Sequence, residues 1–192
     1  MINVKKHYGS HARFLGSELT ANLHRSFRIP IAANTSARSG NFVRVMYQVH
    51  STQQCEIQGS SIQIQGVGED FGAAPVRLTF NNGSNSIIPA VGTFVLSDWI
   101  AFTFTRTTAY LIHITLNQVG GNNGWRYQAG APVSEYYKDS VADDETMDQN
   151  VAGYTDDQFF PLVCGIDVAD VAEYNYLISR RDRFRTTGIS LG

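Results

Sequence analysis

A chain of 192 residues with 43% hydrophobic and 17% charged residues can bury one globular core, which excludes a disordered tail or a small scaffold that needs staples. Seventeen glycines against five prolines fit a turn-rich β-protein and exclude a collagen-like chain. The net charge of −2 conceals a segregation, with a basic stretch at 1–50, an acidic one at 141–178, and a basic end carrying Arg180, Arg181, Arg183 and Arg185.

In chain order, residues 1–24 mix Gly, Ser, His and Lys with little periodicity and read as an N-terminal arm. No apolar run follows Lys5 and Lys6, so no secretory signal is expected. Ser26 to Ile31 is a short strand, and Pro30 suits an edge or end position. After the Asn34 to Asn41 turn, Phe42 to His50 alternates. Val43, Val45, Tyr47 and Val49 share one face, with Arg44, Met46 and Gln48 on the other. Ser61 to Gln65 repeats the pattern through Ile62 and Ile64, and Val76, Leu78 and Phe80 repeat it again before the Asn81-Asn82-Gly83-Ser84 turn. Phe94 to Leu96, Trp99 to Thr105 and Tyr110 to Leu116 follow. Ile100, Phe102 and Phe104 form one face of the second, and Tyr110, Ile112, Ile114 and Leu116 one face of the third. Gly120 to Gly124 is a flexible turn, Tyr136 to Gln158 a long acidic loop, and Phe159 to Val168 a final strand. Asp170 to Arg183 reads as a short helix or an extended tail.

Short strands at roughly 8–12-residue spacing with turns between them predict an all-β, antiparallel, jelly-roll-like sandwich. The expected division is an arm at 1–24, the sandwich at 25–168, and a C-terminal arm or short helix at 169–192. The longest apolar run, Trp99 to Phe104, is strand-sized and far from the ~18 residues of a membrane helix. Val43, Val45, Val49, Ile62, Ile64, Leu78, Phe80, Ile100, Phe102, Phe104, Ile112 and Ile114 are the expected core.

The motifs with chemical potential are few. Cys55 and Cys164 lie outside any CxxC pair and read as buried free thiols, with a disulfide between them left open. Gly188-Ile189-Ser190-Leu191-Gly192 spells GxSxG, but no Asp/Glu and His follow it in the order a nucleophile elbow requires. His7 and His11 face one metal only on a helix, which Gly9 and Ser10 disfavour. His113, between Ile112 and Ile114, points away from the apolar face as a solvated or hydrogen-bonded side chain. No cofactor is expected. The carboxylates between Asp143 and Asp157 are the one place with calcium-like oxygens, and they lack the EF-hand pattern. Trp125, Tyr127, Tyr136 and Tyr137 cluster beside the Gly120–Gly124 turn, either as a platform for sugar rings or as a cover for one end of the core. Basic residues do not interleave with aromatics as in nucleic-acid binders.

The stretch VRLTFNNGSNSIIPAVGTFVLSDWIAFTFTRTTAYLIHITL, Val76 to Leu116, resembles part of the β-sandwich domain that precedes the catalytic domain in some SGNH/GDSL-type hydrolases. The shared pattern is Thr79-Phe80, a turn with Gly83, Ile87-Ile88, the Pro89 to Gly92 turn, and Ser97-Asp98 before the next strand. Upstream, FVRVMYQVH and Ser61 to Gln65 are similar to the family's earlier strands, so the resemblance spans about residues 25–168. It implies the fold and a glycan-proximal role. The family's catalytic Ser, oxyanion-hole Gly and Asn, and Asp–His pair have no matching positions, so the resemblance does not carry the activity.

The expected function is therefore a non-enzymatic structural or assembly protein, a bacteriophage virion component such as a capsid decoration, collar, baseplate or fibre protein. It would be synthesised in the host cytoplasm without a signal peptide. The expected partners are copies of itself and other structural proteins of the particle, and a cell-surface glycan, with no nucleic acid and no membrane. Assembly contacts are expected at Lys5, Lys6, Arg13, Phe14, Arg180, Arg181, Arg183, Phe184 and Arg185 of the arms, and at Asp143, Asp144 and Glu145 of the acidic loop. The alternative is a carbohydrate-binding sandwich module, free-standing or accessory to a glycan-active hydrolase. Deleting 1–20 and 180–192 is expected to leave a folded monomer that no longer assembles.

Overall fold

A computed structural model describes residues 16–21, 24–36, 38–120, 123–129, 135–139, 141, 143–149, 152–157 and 159–170. All regular elements among them are strands: β1 Ser17–Ala21, β2 Arg25–Ile31, β3 Gly40–Gln48, β4 Cys55–Ile64, β5 Val76–Arg77, β6 Phe94–Leu96, β7 Ile100–Phe104, β8 Tyr110–Gln118, β9 Asn123–Ala129, β10 Glu135–Asp139, β11 Thr155–Asp157, β12 Phe159–Pro161 and β13 Val163–Ala169. The fold is an all-β antiparallel sandwich. One sheet has the order β11-β10-β2-β8-β4-β5, and the opposing one β13-β3-β6, with β7 also on β3. A third sheet, β1-β9-β12, prolongs the second. Leu162, at φ 55, separates β12 from β13, donates to the Arg126 carbonyl (2.8 Å) and accepts from Gln48 N–H (2.7 Å).

The period of two in the sequence becomes the core. Phe27, Ile29, Ile31, Ile57, Ile62, Tyr110, Ile112, Ile114 and Leu116 face inward from the first sheet. Val43, Val45, Tyr47, Val49, Ile166 and Val168 face them from the second. Leu78 and Phe80 enter from the loop after β5. Tyr47 spans the gap, its hydroxyl 2.8 Å from Ser60 Oγ. Of the expected core, Ile100 and Phe102 are only half-buried, because β7 lies at the rim of its sheet. Ile64, the last residue of β4, is exposed. Cys55 and Cys164 are buried and unpaired, and burial pushes both thiols up to about 12.

Several elements differ from the sequence expectation. Ser17–Ala21, inside the segment read as an arm, pairs antiparallel with β9. The Glu18 carboxylate fixes it by accepting from Ser51 N–H (2.9 Å) and Ser51 Oγ (2.8 Å). Trp125 and Tyr127 lie on strand β9, and the stretch read as one irregular loop contains β10 and β11. β2 is interior to its sheet despite Pro30, and among the described residues β10 pairs with it only from Arg25 to Arg28, short of Pro30.

Candidate functional site

The register of the first sheet places Arg28, His113 and Ser61 in one row, with Ser26 and Thr115 in the next, on the face away from the core. A sandwich normally wets this face, yet all five side chains are buried. Two loops cover them. In residues 65–75, Gly66 N–H donates to Asp70 O (2.7 Å) and Gly72 N–H to Ile64 O (2.9 Å), which returns Phe71 to 5.6 Å from the His113 ring. The second loop supplies Thr146 and Tyr154. Asp144 pairs with Arg77, and Glu145 with Lys138 (2.6 Å), clamping the loop to the sheet at both sides. The clamp needs Gly59, because a Cβ there would stand 2.3 Å from the Asp144 carboxylate.

Beneath this cover the Ser26 and Tyr154 hydroxyls converge on His113 Nε2 at 2.8 and 2.7 Å, and Tyr154 donates to Ser26 Oγ at 3.0 Å. Arg28 donates to the Glu69 carbonyl (2.8 Å), and its guanidinium lies between the Phe71 and Tyr154 rings at 4.1 and 4.4 Å. Burial drives the His113 pKa well below its usual value, and the cations of Arg28, Arg77 and Lys138 add to the shift. A Ser–His pair at hydrogen-bond distance is also the geometry of an activated nucleophile. Here Ser26 and His113 are both fully buried, and His113 Nδ1 has no partner among the described residues. The network holds the cover to the sheet.

The predicted glycan platform is not assembled as expected. Trp125 is buried in the core, only 2% exposed, with its ring edge-on to Phe27 at 5.5 Å, so it offers no face to a sugar. Tyr127, Tyr136 and Tyr137 are half-buried, and Tyr137 packs under Arg25 at 4.7 Å. Trp125 belongs to the core and Tyr127 and Tyr137 pack against it, whereas Tyr136 lies opposite Arg28 on the outer face of the sheet. Among the acidic-loop residues, Asp143 is exposed, while Asp144 and Glu145 turn inward to Arg77 and Lys138 and so cannot serve a neighbour's basic arm. No three His, Cys, Asp or Glu groups converge to hold a metal among the described residues. Lys5, Lys6, Arg13, Phe14, Arg180, Arg181, Arg183, Phe184, Arg185 and Ser190 lie outside the described residues.

Two surface features were not singled out in the sequence. One is the β6 edge. Ser97 N–H donates to Val45 O (2.9 Å), and Val49 N–H to Thr93 O (3.1 Å), so the odd residues of this segment bond β3. The peptide groups of Phe94 and Leu96 therefore point away from the sheet. Their side chains are 53% and 41% exposed, and nearby in sequence Ile88 is 54% and Val91 40% exposed. The other is an open cleft of about 510 Å³ lined by Arg44, Thr79, Asn82, Gly83, Ser97, Asp98 and Trp99. Asp98 ties its rim, accepting from Asn82 N–H (3.0 Å), Gly83 N–H (2.9 Å) and Thr79 Oγ1 (2.8 Å). Partial burial raises the Asp98 pKa, but these donors outweigh it and the net shift is downward.

No family model and no curated protein matches the chain.

Proposed function

We propose that this chain is a non-enzymatic structural subunit that builds a larger particle by self-association, in the class of bacteriophage capsid decoration, collar, baseplate or fibre proteins. The observation that carries the reading is the β6 edge. Sheet edges invite pairing with another chain, and natural proteins blunt them with charge, proline or a covering segment. Residues 94–96 are Phe-Val-Leu and carry none of the charge or proline devices. The occupant is a second copy. Antiparallel pairing of β6 about a two-fold axis at Val95 sets Phe94 against Leu96 of the other chain, so the edge is complementary to itself. The three-residue strand is too short to hold a dimer alone, and the exposed Ile88 and Val91 are the apolar side chains the dimer would draw on besides. The resemblance to a hydrolase-associated sandwich belongs to the same reading, with the sandwich used as a building block.

The test is sedimentation velocity and native mass spectrometry across a concentration series, with Phe94→Lys/Leu96→Glu as the variant. The expected result is concentration-dependent association of the natural chain and a folded monomer for the variant. A natural chain that stays monomeric throughout, or a variant that associates equally well, defeats the reading.

A further inference from the structure

We propose that the Trp99 cleft is a binding site for a neutral saccharide. The cleft has an aromatic wall, fixed hydrogen-bonding groups and a preformed turn at its rim, which together suit a hydroxylated ring.

The wall is Trp99, half-buried between β6 and β7. Arg44 fixes it with its guanidinium 4.7 Å from the ring centroid, and Asp167 fixes Arg44 through Nε (2.8 Å) and Nη2 (2.7 Å). This chain of contacts costs Trp99 its rotational freedom before any ligand arrives, which favours affinity through preorganisation. Arg44 covers one face of the indole, and the other face is the one that would take the apolar C–H face of a sugar, while hydroxyls at the sugar's edge seek polar partners.

Those partners line the same cleft. The Asn82 carboxamide is exposed and has no hydrogen-bond partner among the described residues. Arg44 Nη1 likewise has no partner among them, since Asp167 takes the other two nitrogens. Asp98 is ionised, and a carboxylate offers more lone pairs than its three donors here use, so it can accept from a further hydroxyl. Ser97 is satisfied, accepting from Val45 N–H (2.9 Å) and donating to Asp98 O (3.0 Å), and serves the frame instead.

Charge selects the ligand class. Asp167 neutralises Arg44, which leaves the cleft with the negative charge of Asp98. An anionic sugar would meet that charge, whereas a neutral one meets only donors and acceptors. The rim is a preformed tight turn closed by the Phe80–Ser84 bridge. Asn81 (φ 50) and Asn82 (φ 65) occupy the left-handed region in succession, followed by Gly83 (φ 119). Asp98 holds this conformation by accepting from Asn82 N–H and Gly83 N–H, so the Asn82 side chain is presented from a fixed backbone.

The experiment uses the full chain with the methyl glycosides of glucose, galactose and N-acetylglucosamine, and with sialic acid as the anionic counter-probe. Saturation-transfer difference NMR reads contact with the sugar protons, and tryptophan fluorescence reads the indole. Trp99 and buried Trp125 are the chain's two tryptophans, so a change that disappears in Trp99→Ala reports the cleft. At least one neutral glycoside should bind with a dissociation constant on the order of 1 mM, and sialic acid about tenfold more weakly or not at all. Trp99→Ala should abolish the signal and Trp99→Phe retain part of it. Asn82→Gly, which keeps the left-handed backbone while removing the carboxamide, should weaken binding about tenfold in a chain that folds normally. Absence of contact from all neutral probes at tens of mM, binding that persists in Trp99→Ala, or equal binding of sialic acid overturns the proposal. The outcome is independent of self-association, because the β6-edge variant should bind the glycoside as the natural chain does.

Discussion

At the scale of single residues, His113 is the most consequential side chain. Its strand position predicts only that it leaves the apolar face. The structure adds that two loops seal it beside Arg28, Arg77 and Lys138, and that Asp144 and Glu145 are engaged with the latter two cations. The folded state therefore holds this imidazole neutral, and the unfolded chain protonates it near the ordinary value of about 6.5. Between that value and the lower folded pKa the unfolded state binds more protons, so stability is complete above about pH 6.5 and falls as the pH drops. The slope approaches about 1.4 kcal/mol per pH unit for one proton. Denaturant unfolding at a series of pH values should show it, and His113→Gln should flatten the curve whatever its effect at neutral pH. Parallel curves for the two chains would mean that another group governs the acid response. Gly59 offers a second residue-scale test. Gly59→Ala should dislodge Asp144 from Arg77 and expose the loop over 143–149 to protease. Unchanged proteolysis would show that the clamp does not hold the cover.

At the scale of elements, alternation located β3, β7 and β8 with little error, because those strands each present one apolar face to a core, whereas β6 is apolar on both faces and buries only Val95. Alternation did not distinguish depth. Phe104 is buried and stacks on Tyr110 at 4.5 Å, whereas Phe102 on the same strand face is half-buried and meets Tyr110 edge-on at 5.6 Å. Phe104→Ala should cost about 3–5 kcal/mol in unfolding free energy. Phe102→Ala should cost less, about 1–2 kcal/mol, since part of its surface is already wet. A reversed order in equilibrium unfolding would contradict the placement of β7 at the rim. The segment at 55–60 lacked a readable pattern for a local reason. A register shift between Ile57 and Gly59 breaks the period of two, and the polar face there is covered by a loop.

At the scale of the whole molecule, the two thiols sit in opposite sheets, Cys55 on β4 and Cys164 on β13. Both are buried and raised to about 12, so neither is reactive in the folded state. If the sandwich opens as one cooperative unit, a thiol reagent should label both at the same slow rate, rising together with denaturant. Labelling of one long before the other would reveal sheets that open separately. Self-association through β6 belongs to this scale too, and its loss in Phe94→Lys/Leu96→Glu should leave the labelling rates unchanged.

The sequence by itself determined the all-β class, most of the inward-facing residues and the turning of His113 away from the apolar face of its strand, because burial on one side of a strand imposes a period of two that local reading detects. It also held the ingredients of the Trp99 cleft in plain order, as Asn81-Asn82-Gly83-Ser84 and Ser97-Asp98-Trp99, without showing that they meet. Only the tertiary structure decided that Asp98 reaches back to the first of those turns, that Trp125 is core and Trp99 is surface, and that Ser26, Arg28, His113 and Tyr154 share one sealed layer. The physical reason is range. Alternation acts between neighbours along a strand, whereas these contacts join residues far apart in the chain through register and loop closure, which no local pattern encodes.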